Sequence, residues 1–115
     1  MSNILIVDDE KAIRKTLSEI LSYEGYRIDE AGDGEEGIRK FRDKEYDVIL
    51  CDIKMPKMDG VELSAHILKE RPGIKILFMS GKESGELTVH GKKVEFLRKP
   101  FVARELSEKI SSILA

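Results

Sequence analysis

The chain has 115 residues with 20 basic and 22 acidic side chains, a formal net charge of -2 and a single cysteine. That length suits one domain over residues 1–115, able to bury a core without disulfides, and the balanced charge with no Lys/Arg block leaves nucleic-acid binding without an electrostatic footprint. No charged-then-apolar leader and no membrane-length apolar run occurs, so the expectation is a cytoplasmic protein with no membrane contact.

Ile4-Leu5-Ile6-Val7 is a continuous apolar run, as in a strand buried on both faces, and it ends in Asp8-Asp9-Glu10. Ile13, Leu17, Ile20 and Leu21 follow at helical spacing, and Gly25 suits a left-handed stop. Tyr26 to Ala31 is more polar and reads as an edge strand. Asp33-Gly34-Glu35-Glu36 is a capped helix start, with Glu36 placed to complete a capping box on Asp33. Ile38 and Phe41 give that helix a narrow apolar face. Val48-Ile49-Leu50-Cys51 is the next buried run, with Cys51 as a small hydrophobe, and Asp52 ends it. Asp59 and Glu62 form a second capping pair ahead of Val61, Ala65 and Leu68, and Arg71-Pro72-Gly73 stops that helix. Lys75 to Met79 is a strand ended by Ser80-Gly81. Glu95 to Arg98 is a short final strand ended by Lys99-Pro100. Val102, Leu106, Ile110 and Ile113 share one face of the last helix.

Five strands alternating with helices argue for an α/β fold, a three-layer sandwich around a five-stranded parallel sheet. The segment from 81 to 94 fits least well. A fourth helix there would contain Gly85 and Gly91 and only Leu87 and Val89 as anchors, so an irregular or shortened element is expected. A small hairpin of Leu87-Thr88-Val89 with Lys93-Val94-Glu95 around His90-Gly91 is the alternative.

Ligands of open parallel sheets bind beyond the carboxyl ends of the strands. Four runs deliver Asp8/Asp9, Asp52, Ser80 and Lys99 to that edge. Three converging carboxylates require a cation, and hard oxygen donors with few protein ligands suit Mg²⁺. Lys99 adds a fixed positive charge and Ser80 a hydroxyl. Together they suit a phosphoryl group attacked in line by Asp52, giving an aspartyl phosphate. Taken singly, each residue has a plainer use: Asp8-Asp9 as a helix cap, Ser80 and Lys99-Pro100 as turns.

In Ile4-Leu5-Ile6-Val7-Asp8-Asp9, Asp52-Ile53-Lys54-Met55-Pro56-Lys57-Met58-Asp59-Gly60, Met79-Ser80-Gly81 and Phe96-Leu97-Arg98-Lys99-Pro100-Phe101, the chain resembles the receiver domain of bacterial two-component response regulators over essentially its whole length. The resemblance implies a flavodoxin-like fold of strand order 2-1-3-4-5. It implies that Asp52 takes a phosphoryl group from the phosphohistidine of a sensor histidine kinase. Asp9 would bind Mg²⁺ directly and Asp8 largely through water, with Asp52 and the backbone carbonyl of Lys54 completing the ligands. Lys99 would contact the phosphoryl group, and the Lys99-Pro100 bond would be a cis peptide. Ser80 and Phe96 would act as the switch, and the kinase would dock on the first helix near Ala12, Ile13 and Thr16, where Ile13 is equally a core residue. The output would be a downstream protein target or a histidine phosphotransfer protein, without turnover as an enzyme.

Two features depart from the family pattern: the glycine-rich segment after Ser80, and lysines at 54 and 82, positions that tune loss of the phosphate. A protonated lysine accepts no hydrogen bond and cannot orient an attacking water, so slow loss is expected. Rival readings are an aspartyl-phosphate phosphatase, whose members carry a second acid where Lys54 stands, and a phosphate-independent binding module. Gly32-Asp33-Gly34-Glu35-Glu36-Gly37 also matches a dinucleotide fingerprint, but its acids oppose a pyrophosphate at that helix N-terminus. His66 and His90 are too isolated for a metal site.

Overall fold

The computed structural model describes residues 2–81, 87–89 and 91–115. The apolar runs form strands whose successive side chains point to opposite faces. In β1 (Asn3–Val7), Leu5 and Val7 enter one core and Ile4 and Ile6 the other. In β3 (Val48–Asp52), Ile49 and Cys51 join the first core and Val48 and Leu50 the second. Both faces of the sheet are covered, which is why these runs are apolar throughout rather than alternating.

One layer consists of α2 (Gly34–Asp43) and α3 (Gly60–Glu70), which bury Phe41, Leu63 and Ile67 against the first face. The other consists of α1 (Lys11–Tyr23) and α4 (Ala103–Leu114), which bury Leu17, Leu21, Leu106 and Ile110. Val102, expected on that buried face, instead precedes α4 as its N-cap and is 60% exposed. Asp33 and Asp59 cap α2 and α3 by accepting from the amides of Glu36 and Glu62. Gly25, at φ 96°, turns the chain from α1 into β2 (Arg27–Ala31), the expected edge strand.

The sheet also contains β4 (Lys75–Ser80), β5 (Leu87–Val89) and β6 (Lys92–Arg98), in the order β2-β1-β3-β4-β6-β5. The five parallel strands follow the order the resemblance implied. Among the described residues the sheet nevertheless has six strands rather than five, because the described part of 81–94 forms β5 where an irregular or shortened fourth helix was expected. β5 pairs antiparallel with β6, Leu87 opposite Val94 and Thr88 opposite Lys93. Gly91, just before β6, adopts φ 73°, a left-handed conformation that glycine takes without strain, and the β-branched Thr88, Val89 and Val94 favour extended backbone. Val89 and Val94 are buried in the α2/α3 core, so a narrow two-sided ribbon uses the few apolar anchors that a helix would have left insufficient. No helix among the described residues is long and apolar enough to cross a membrane.

Candidate phosphoryl and metal site

The strand order sets β1, β3, β4 and β6 side by side, so residues far apart in the chain meet at one edge of the sheet. Asp8 follows β1, Asp52 ends β3, Ser80 ends β4 and Lys99 follows β6. Carboxylate oxygens of Asp8, Asp9 and Asp52 lie within 4.8 Å of one another. The Lys99 ammonium stands 3.4 Å from Asp52 Oδ2 and 3.8 Å from Asp8 Oδ2. Asp9, Asp52, Lys54, Ser80 and Lys99 line a cavity of about 300 Å³ at this edge, together with Glu10 and Gly81. Asp8, Asp9, Asp52, Ser80 and Lys99, the five residues expected from sequence to carry the chemistry, therefore converge.

The backbone aims these groups. The Lys99 amide donates to the Ser80 carbonyl at 2.7 Å, tying the ends of β4 and β6 together. The Lys99-Pro100 peptide is cis, as the resemblance implied. Gly60 lets the start of α3 close on β3: its amide donates to the Ile53 carbonyl at 2.8 Å. Met58, in the same loop, packs onto Gly34, where a β-carbon would stand 2.8 Å from its sulfur.

Burial raises the carboxyl pKa values of Asp8 and Asp52 above the usual 3.8. The amide of Glu10 and the Lys99 charge oppose that rise at Asp8, and Lys99 and the Lys54 amide oppose it at Asp52. Asp8 is fully buried, and its Oδ2 has no hydrogen-bond donor among the described residues. An orphaned buried carboxylate oxygen beside two further carboxylates, with one lysine to offset them, is a donor set short of positive charge. A hard divalent cation fits it. Cys51 is buried beneath the site, and desolvation pushes its thiol up, so it is an inert part of the core.

Lys54 is exposed at the rim of the cavity. Phe96 is half-buried, with its ring 5.9 Å from that of Phe78. Ile13 both packs partly against the α1/α4 core and, with Ala12, Thr16 and Phe101, lines an apolar groove of about 620 Å³ beside Lys99. Lys82 and His90 lie outside the described residues, and His66 is exposed on α3, away from the acidic cluster.

The dinucleotide fingerprint serves the protein itself. The Asp33 carboxylate takes the Glu36 amide, while Glu36 Oε1 reaches past Asp33 to the Gly32 amide at 2.6 Å. The amides that would cradle a pyrophosphate are occupied by the chain's own acids. Sequence reasoning did not find Arg14, whose guanidinium donates to the Asp8 carbonyl at 2.6 Å. A basic residue within an amphipathic helix carries no local signal of such a role.

The response regulator receiver domain model matches residues 4–111. The chain belongs to the response regulator receiver family. The transcriptional regulatory protein ResD of Bacillus subtilis is 36% identical over 116 residues, 98% of this chain and 48% of ResD. The chain thus spans about half the length of the curated relatives it matches. The structure of response regulator protein TrrA of Thermotoga maritima in complex with Mg²⁺ and BeF is similar with a TM-score of 0.85. It is 36% identical and covers 99% of this chain and 100% of the TrrA chain. A structure of the histidine kinase ThkA in complex with TrrA matches at 38% identity and a TM-score of 0.86, covering all of this chain and of the matched one. The family is one of two-component signalling modules rather than turnover enzymes, which sets the phosphatase alternative aside.

Proposed function

We propose that Asp52 accepts a phosphoryl group from the phosphohistidine of a sensor histidine kinase, and that the phosphorylated chain signals by protein binding or onward phosphotransfer. The observation that carries this reading is the Lys99 ammonium 3.4 Å from Asp52, with the Asp8, Asp9 and Asp52 oxygens within 4.8 Å of one another. A carboxylate held beside a fixed cation, at the mouth of a polar cavity, is poised to attack phosphorus. Its oxygen forms the new O–P bond while the P–N bond breaks, the electron pair passing to the imidazole nitrogen of the donor.

Each residue has a part in that step. Asp8, Asp9, Asp52 and the Lys54 carbonyl would hold Mg²⁺, which when bound neutralises charge on the phosphoryl oxygens. Lys99 holds positive charge against the same oxygens. The Ser80 hydroxyl is the donor that follows the phosphoryl group, and Phe96 the ring that moves with it. The surface changed by that motion is the one made by β6, α4 and the β5 hairpin. The apolar groove along Ala12, Ile13 and Thr16 borders Lys99, which supports docking of an apolar kinase helix there. The complex of ThkA with TrrA supports a kinase partner for this chain too.

Incubation with acetyl phosphate and Mg²⁺, followed by intact mass measurement, tests the reading. The wild type should gain one phosphoryl group and Asp52→Ala none. An unchanged wild-type mass, or the same gain in the variant, would overturn it.

A further inference from the structure

Asp8 and Asp9 leave one peptide at the end of β1, so the setting of that peptide decides whether both carboxylates reach the site. The Asp8 amide continues the parallel ladder, donating to the Ala31 carbonyl of β2 at 3.1 Å. The Asp8 carbonyl would next need an amide from the same strand. β2 ends at Ala31, and the chain turns through Gly32 into α2. In place of the missing ladder donor the carbonyl accepts from Arg14 Nη1 at 2.6 Å.

The guanidinium is itself held. Its Nε donates to Glu30 Oε1 at 3.3 Å, and the Arg14 side chain is only 16% exposed. The Glu30 carbonyl is bound by the Lys40 ammonium from α2. A β-carbon at Gly32 would stand 3.3 Å from Arg14 Nη1, so glycine at the turn leaves room for the fork. Two donors in fixed geometry bridge β1 and β2 beyond the point where the ladder stops, which a single ammonium cannot do.

We propose that Arg14 is a positioning residue for the acidic pair, setting the Asp8-Asp9 peptide so that both carboxylates face the cation. It touches neither the reacting atoms nor the metal. The inference rests on the metal-site reading above.

The test is Mg²⁺ titration by calorimetry together with melting in EDTA, on wild type, Arg14→Ala, Arg14→Lys and Glu30→Ala. Arg14→Ala should raise the Mg²⁺ dissociation constant about tenfold, as loss of an outer-shell partner does. Arg14→Lys should recover part of that loss, and it carries the test if Arg14→Ala melts below the assay temperature. Glu30→Ala breaks the ion pair but leaves the carbonyl contact. It should lower the melting temperature while moving Mg²⁺ affinity far less. If the Arg14 variants bind Mg²⁺ like wild type, or lose affinity only as Glu30→Ala does, the role is structural and the inference fails. Phosphate uptake by the wild type would still uphold the site in that case, whereas a wild type that binds no Mg²⁺ overturns both.

Discussion

Gly60 lies against the end of β3 so closely that a β-carbon there would come within 2.4 Å of the Asp52 carbonyl oxygen and 2.9 Å of the Ile53 α-carbon. Neither neighbour is a side chain that can swing away. The Gly60 amide also bonds the Ile53 carbonyl, so the helix start and the strand end move together. Gly60→Ala should therefore cost about 1–3 kcal/mol, the scale of overpacking in a tight core. It should also slow phosphorylation, because Asp52 is carried on the displaced backbone. A thermal melt and a phosphorylation time course check this; unchanged values for both would remove Gly60 from the positioning of Asp52.

The acidic cluster makes the metal-free fold sensitive to pH in a stated direction. Asp8 and Asp52 have raised pKa values in the folded protein, so the fold holds their protons more tightly than the unfolded chain does. Their contribution is fully present below the unfolded value of 3.8 and is lost as pH rises through the folded values. In EDTA near neutral pH, Asp8→Asn should thus melt above wild type, and the advantage should shrink as pH falls toward the unfolded value. Mg²⁺ should raise the melting temperature of wild type more than that of the variant. Equal metal-free melting across the range would contradict the electrostatic account.

Lys54 stands exposed at the cavity rim, two residues beyond the phosphoacceptor candidate. Its ammonium accepts no hydrogen bond and leaves an attacking water unoriented. The phosphorylated protein should therefore persist well beyond seconds in Mg²⁺, and Lys54→Glu should shorten its lifetime by about tenfold, a modest share of what general-base assistance supplies. Decay followed by intact mass decides this, and a wild-type lifetime of seconds sinks it.

On the edge strand β2 the Tyr46 hydroxyl donates to Asp29 Oδ2 at 2.6 Å, and the Lys44 ammonium donates to the same oxygen at 3.1 Å. The tyrosine hydrogen bond, then the lysine, hold the Asp29 carboxyl below its usual range despite partial burial. A depressed pKa stabilises the fold above the unfolded value of 3.8, and that stabilisation is lost as pH falls through the folded value. Tyr46→Phe should cost about 1–2 kcal/mol at neutral pH, the low end of the worth of a hydrogen bond to a charged group because the Asp29 side chain is 37% exposed. The difference from wild type should narrow in acid. Denaturant unfolding at two pH values measures it, and a pH-independent difference would assign the loss to packing alone.

Much of the site was legible because its groups lie at strand ends, three of them closing apolar runs. Asp52 after Val48 to Cys51, and Asp8 after Ile4 to Val7, are visible in one dimension, since strand burial and strand ending both leave local marks. Glu36 was placed on Asp33 but bonds Gly32, because a flexible carboxylate selects whichever amide the turn presents. Val102 followed the helical spacing yet lies outside the helix, since periodicity does not locate the cap. The hairpin of β5 and β6 was one of two readings, and pairing across the turn at Gly91 decided it.

The sequence by itself determined the strand-and-helix alternation, which five side chains meet at the candidate site, and the edge of the sheet to which they belong. These follow from burial patterns and strand ends, which are local. Only the tertiary structure decided that the Lys99 ammonium stands near both Asp52 and Asp8, that Asp8 Oδ2 is buried without a donor among the described residues, and that the Asp8 carbonyl accepts from Arg14. Those contacts join different strands and helices. Their distances depend on how far each element runs before it turns, and no local pattern records that.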